Sequence, residues 1–125
     1  MRFDSYYAFK DEEHHPLNTC SRYAVHRPFV LNCMGNFVTS SKFNTHNRVG
    51  RSDYYLLYVQ SGELVLELPD GETVCTEGCF IIFPPETKYK YSHTPTNTLE
   101  YLWAHFTGSA VEDTLNEYEI GRAHV

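Results

Sequence analysis

The chain has 125 residues, 42% of them hydrophobic, and a formal net charge of −6. That length suits one domain with one modest core, and that hydrophobic share excludes a disordered tail. The acidic balance, with Lys and Arg forming no cluster, excludes a phosphate-gripping surface, so no nucleic-acid binding is expected of this segment. No apolar run approaches a membrane span and no signal-peptide core opens the chain, so the expected compartment is the cytoplasm, with no membrane partner.

Met1 to Cys20 is polar and mixed, with Asp11, Glu12, Glu13, His14 and His15 in one run, and it sustains neither a helical nor an alternating period. It reads as an N-terminal arm, residues 1–20, with the acidic run as solvated surface and the adjacent histidines poorly arranged for a metal. From Pro28 the chain turns strand-like, with Phe29 to Leu31, a turn at Gly35-Asn36, then Phe37 and Val38. Asn44 to Ser52 reads as a loop.

The centre carries the strongest pattern. Asp53 to Gln60 is β-prone and apolar on both faces, the mark of an interior strand. Ser61-Gly62 turns the chain, and Glu63 to Leu68 alternates, with Leu64, Leu66 and Leu68 on one face. Pro69-Asp70-Gly71 is a turn, Glu72 to Cys75 a short strand, Glu77-Gly78 another turn and Cys79 to Phe83 a buried strand. Pro84-Pro85 ends it, because proline cannot donate to a sheet ladder. Cys75 and Cys79 bracket a tight turn, so they are expected near each other; with Cys20 and Cys33 they read as free thiols. Thr98 to Phe106 is the last strand. A helix is predicted from Ser109 to about Gly121, because Ser109 and Glu112 have capping-box spacing and Val111, Leu115 and Tyr118 recur at helical intervals. Short strands with close turns, and 15% aromatic content rich in Tyr, predict a mainly β sandwich or barrel with a binding cavity.

Three stretches make the pattern specific: Tyr55 to Gly62 (YLLYVQSG), Gly78 to Pro85 (GCFIIFPP) and Glu100 to Gly108 (EYLWAHFTG). In order and spacing they resemble the effector-binding domain of AraC-type bacterial transcription regulators, closely over Arg51 to Gly108 and more loosely from Pro28 to Arg48. The Trp-x-His-Phe-x-Gly of the third stretch is the most specific part. The resemblance implies a cupin-type double-stranded β-helix, or jelly-roll barrel, over residues 21–108, followed by the start of a helical segment over 109–125. Relatives continue into helix-turn-helix motifs. None follows Ser109 to Val125 here, so the chain reads as a sensing domain without its DNA-binding domain.

Many cupins are metal enzymes. Aligned on Gly62 and Pro84-Pro85-Glu86, the family's metal-ligand positions fall near Arg48, Gly50, Tyr55 and Tyr89, none of them a good divalent-metal ligand. No metal, no cofactor and no catalytic residue are therefore expected.

Along the last strand, Leu99, Tyr101, Trp103 and His105 share one face. Their rings, hydroxyls and N–H groups suit the C–H face and hydroxyls of a sugar. The resemblance makes Trp103 the stacking residue, Tyr101 its pocket neighbour and Arg48 the ligand-binding arginine; His105, on the same strand face, is a further candidate contact. The competing reading makes Trp103, Tyr101 and His105 core residues and leaves Arg48 and Arg51 on a solvated loop. The function implied is a ligand-sensing regulatory domain whose partner is a small-molecule effector, with a sugar the first candidate. It would reach DNA only through the missing domain, and a homodimer is compatible. Two alternatives stay open: a small cupin enzyme (isomerase or oxygenase), and a standalone carbohydrate-binding module.

Overall fold

Alternating apolar residues, repeated strand after strand, leave the chain one way to bury them: two sheets face to face. The computed structural model describes residues 2–7, 27–68, 71–93, 98–118 and 123–124, with 2–7 and 123–124 described by their backbone. The strands are β1 (Arg2–Tyr7), β2 (Val30–Thr39), β3 (Phe43–Asn47), β4 (Tyr54–Ser61), β5 (Leu64–Leu68), β6 (Gly71–Cys75), β7 (Phe80–Phe83), β8 (Tyr89–His93), β9 (Leu99–Thr107) and β10 (Ala123–His124), with one helix, α1 (Val111–Glu117). They form a six-stranded sheet in the order β1-β2-β9-β4-β7-β10 and a four-stranded sheet in the order β3-β8-β5-β6. All pairings are antiparallel.

The core lies between the sheets. Leu57 and Val59 of β4, Ile81 of β7 and Leu99 of β9 meet Leu64 and Leu66 of β5, all fully buried. A second, smaller cluster lies on the outer face of the large sheet, where Val111 and Leu115 of α1 cover Phe106, Ile82 and Tyr54. Helix and sheet each bury an apolar stripe there that neither could bury alone.

Four sequence expectations need correction. The Gly35-Asn36 turn does not form: β2 runs unbroken through it, because Gly35 pairs with Ser5 on one side and Trp103 on the other. Ladder bonds on both edges outweigh the local turn preference. Part of the expected loop is strand β3, paired with β8, and β8 itself lies where no strand was expected. Part of the expected N-terminal arm, Arg2–Tyr7, is the edge strand β1; Asp11 to Glu13, His14, His15 and Cys20 lie outside the described residues. The Ser109 cap is absent: α1 starts at Val111 with Ala110 as N-cap and no side-chain cap. The Ser109 hydroxyl instead donates to the Arg27 carbonyl at 3.3 Å, a tertiary partner that competes with the capping position.

That partner is held close by Gly108. Its φ is +152°, and a Cβ there would collide with the Pro28 carbonyl. Only glycine lets the end of β9 run against the Arg27–Phe29 lead-in. At the same end of the large sheet Glu86 stands at φ +61° after Pro84-Pro85, a left-handed conformation for which glycine is the natural residue. Gly108→Ala is expected to destabilise the domain by about 2–4 kcal/mol through strain and overlap. Glu86→Gly is expected to stabilise it by about 0.5–1 kcal/mol, less than the full strain because glycine loses more chain entropy on folding. Urea unfolding of the two variants checks both signs.

Candidate functional site

Three strands bring their inward faces to one place. Tyr55 is the second residue of β4, Tyr101, Trp103 and His105 project from β9, and Tyr89 and Tyr91 come from β8 on the opposite sheet. With Arg51, which precedes β4, these residues line a cleft of about 220 Å³. That is room for about seven waters or one small organic molecule. The register sets the arrangement: Tyr55 stands opposite His105, Leu57 opposite Trp103 and Val59 opposite Tyr101.

The walls are aromatic and hydrogen-bonded to one another. Tyr55 stacks on the His105 ring with centroids 4.3 Å apart, and Trp103 tilts against His105 at 5.5 Å. The Tyr55 and Tyr91 hydroxyls lie 2.7 Å apart, a short hydrogen bond that joins the two sheets. The Tyr101 ring stands edge-on to that of Tyr91, with centroids 6.4 Å apart. Asn47 donates to the Tyr89 hydroxyl at 3.3 Å. Burial pushes the pKa of Tyr55, Tyr91, Tyr89 and Tyr101 above the ordinary value of 10.0, so the cleft presents neutral hydroxyls rather than phenolates.

Beneath this wall sits Asp53, its side chain fully buried. Arg51 grips the carboxylate with two bonds, Nε to Oδ1 at 2.7 Å and Nη2 to Oδ2 at 3.1 Å. His105 Nδ1 stands 3.4 Å from Oδ1, an ion-pair distance rather than a well-formed hydrogen bond. Burial would raise the Asp53 pKa, but the bonds and charges of His105 and Arg51 outweigh it and hold the carboxyl below its ordinary value. For His105, burial lowers the pKa and the Arg51 charge adds to that, against the opposing pull of Asp53. Asp53 is therefore ionised and His105 neutral at neutral pH.

Trp103, Tyr101 and His105, singled out from the sequence, are brought together in the cleft. Each is also at least nine-tenths buried, so pocket wall and core are the same residues here. Arg48 is not with them. It is exposed, in a turn held by Asn47, whose Oδ1 accepts from the Val49 and Gly50 amides at 3.0 and 2.7 Å. Gly50, at φ +86°, then redirects the chain, and the arginine that reaches the cleft is Arg51. Sequence reasoning also missed Tyr91 and Asp53. The alternation of Tyr89, Tyr91 and His93 with Lys90 and Ser92 would have found Tyr91, and an acidic residue opening an apolar strand would have marked Asp53.

The positions aligned with the family's metal ligands do not fit a divalent ion: Arg48 is exposed, Gly50 has no side chain, and Tyr55 and Tyr89 are protonated phenols. Among the described residues no cluster of three or more His, Cys, Asp or Glu could hold a metal ion. Cys75 and Cys79 are adjacent buried free thiols, and burial together with their mutual hydrogen bond raises the Cys75 pKa and keeps it a thiol.

The lowered pKa values of His105 and Asp53 predict acid sensitivity. Below the ordinary histidine value of 6.5 the unfolded chain takes a proton that folded His105 resists. Stability is therefore expected to fall as pH drops from about 6.5 through the lowered His105 value, with a second loss below about 3.8 as Asp53 is forced to protonate. Urea midpoints measured from about pH 8 to 5 should decline on the acid side, and His105→Gln should flatten that decline.

Comparison with known proteins agrees with this architecture. The chain is similar to the protein YhaK from Escherichia coli, at 10% identity over 88% of this chain and 46% of that one, with a TM-score of 0.59. It is also similar to a cupin superfamily protein from Desulfitobacterium hafniense, at 8% identity over 85% and 78% of the two chains, with a TM-score of 0.54. The plu4264 protein from Photorhabdus luminescens shares 15% identity over 94% and 85%, with a TM-score of 0.51. At these identities the likeness shows the cupin fold. The chain spans 46% of YhaK and 60% of a Drosophila melanogaster CENP-C structure that it also matches. No curated protein matches it. Residues 39–125, well over half of the chain, match the model of the AraC-like ligand binding domain. The chain belongs to that family.

Proposed function

We propose that this chain is the ligand-sensing domain of an AraC-type transcription regulator, a binding module and not an enzyme, and that the cleft between β4, β8 and β9 takes the effector. The observation that carries the reading is the convergence of Trp103, Tyr101, His105, Tyr55, Tyr91 and Arg51 on one small cavity in a domain of this family. Flat aromatic faces with neutral hydroxyls around them suit a monosaccharide, whose C–H face stacks on a ring while its hydroxyls exchange hydrogen bonds.

Such a domain regulates only if the effector binds one conformation better than another. The sheet offers a physical route out of the cleft. Trp103 pairs across the ladder with Gly35, and Gly35 pairs with Ser5 of the edge strand β1. A ligand that shifts the indole thus presses on an edge strand two ladders away, and a separate DNA-binding domain, in a longer chain, would respond to that edge or to a changed subunit contact.

A thermal-shift panel of neutral monosaccharides, sugar acids and common metabolites tests this. One chemical class is expected to stabilise the domain by about 2.7 kcal/mol at a hundredfold excess over its dissociation constant. Trp103→Ala should lose that shift while keeping its far-ultraviolet circular dichroism. Stabilisation by no sugar in the panel would contradict the sugar reading, and turnover of any member would contradict the binding-module reading.

A further inference from the structure

Among the described residues that line the cleft, Arg51 is the one that carries a charge, and it faces a counter-charge. The counter-charge lies just behind the wall: Asp53 is engaged through both oxygens by the Arg51 fork at 2.7 and 3.1 Å. The same carboxylate faces His105. Nδ1 of that ring is buried, makes no good hydrogen bond elsewhere and stands 3.4 Å from Asp53 Oδ1. A buried ring nitrogen beside an ionised carboxylate is the nitrogen that keeps the proton, since the carboxylate can only accept. The ring's remaining polar atom, Nε2, is then unprotonated and serves the cleft as an acceptor.

We infer that Asp53 is the positioning residue of this site, neutralising Arg51 and holding His105 as the Nδ1–H tautomer, so that the cleft selects an uncharged ligand able to donate a hydrogen bond to His105 Nε2. This rests on the reading of the cleft as the effector site and narrows it: a sugar would be taken in its neutral form and not as the corresponding acid. An anionic ligand would have to compete with Asp53 for Arg51 and would meet an acceptor at His105. Of the tyrosine hydroxyls in the wall, those of Tyr55 and Tyr91 are already linked to each other.

The chain contains a single tryptophan, and it lies in the cleft, so Trp103 fluorescence reports the local charge directly. Quenching by iodide, compared with neutral acrylamide, samples the potential there. Asp53→Asn removes the carboxylate that the Arg51 fork grips and is expected to raise the iodide-to-acrylamide ratio about two- to threefold over wild type. Arg51→Gln leaves the carboxylate uncompensated and should lower the ratio. Nitrogen-15 NMR of wild-type protein should show His105 protonated at Nδ1 at neutral pH. A merely structural Asp53 would leave both readouts where they were. Unchanged quenching ratios in the variants, or an Nε2–H tautomer in wild type, would overturn the proposal. Should neither variant fold, the wild-type tautomer decides alone. Strongest stabilisation of wild type by a carboxylated sugar would also sink it while leaving the sensing reading intact. Silence of the whole panel beside the expected tautomer and quenching would do the reverse.

Discussion

The pairing of β4 with β9 is the constraint on which this molecule depends. Its register places Tyr55 against His105, Leu57 against Trp103 and Val59 against Tyr101, so aromatic and aliphatic side chains share one inward face. Shift it by one residue and the whole inward set of one of the two strands would turn outward. The two strands lie inside the large sheet, between β2 and β7, where both edges are satisfied and slippage is blocked. Asp53 and Arg51, immediately before β4, are carried to the cleft by the same register.

Placing a carboxylate under an aromatic wall has a cost in desolvation, and the arrangement offsets it by pairing. The Arg51 fork supplies two charge-assisted bonds and His105 a third polar neighbour. Removing one partner of such a buried pair typically costs several kcal/mol, because the other is stranded. The group thus ties together the loop before β4 and the middle of the sheet. The hydroxyl bond between Tyr55 of β4 and Tyr91 of β8 ties the two sheets together at the same level. Cleft and core are therefore one structure, which is why Trp103 and Tyr101 serve both.

Much of this was legible in the sequence. The alternation of Leu64, Leu66 and Leu68 and the double-sided run of β4 located two strands, and period-two counting assigned Tyr101, Trp103 and His105 to one face. The motifs around Gly62, Gly78 and Gly108 pointed to the family to which the chain belongs. What escaped was set by tertiary competition. Gly35-Asn36 looks like a turn in isolation, yet ladder bonds on both sides keep it in β2. Ser109 and Glu112 have the spacing of a cap, yet the Arg27 carbonyl takes the hydroxyl. β3 was hidden by its polar residues: Asn44 and His46 are exposed, and Thr45 and Asn47, on the half-buried face, are polar too. The choice between Arg48 and Arg51 turned on the Asn47–Gly50 turn, whose direction no pattern of residue types reveals.

The most direct test of the central claim, that the aromatic cleft is where the effector binds, is a titration of Trp103 emission with whichever compound stabilises the domain. The account predicts a spectral change that saturates at the same midpoint as the thermal stabilisation, because the one indole forms part of the wall. Full stabilisation with Trp103 emission unchanged would place the ligand elsewhere and contradict it.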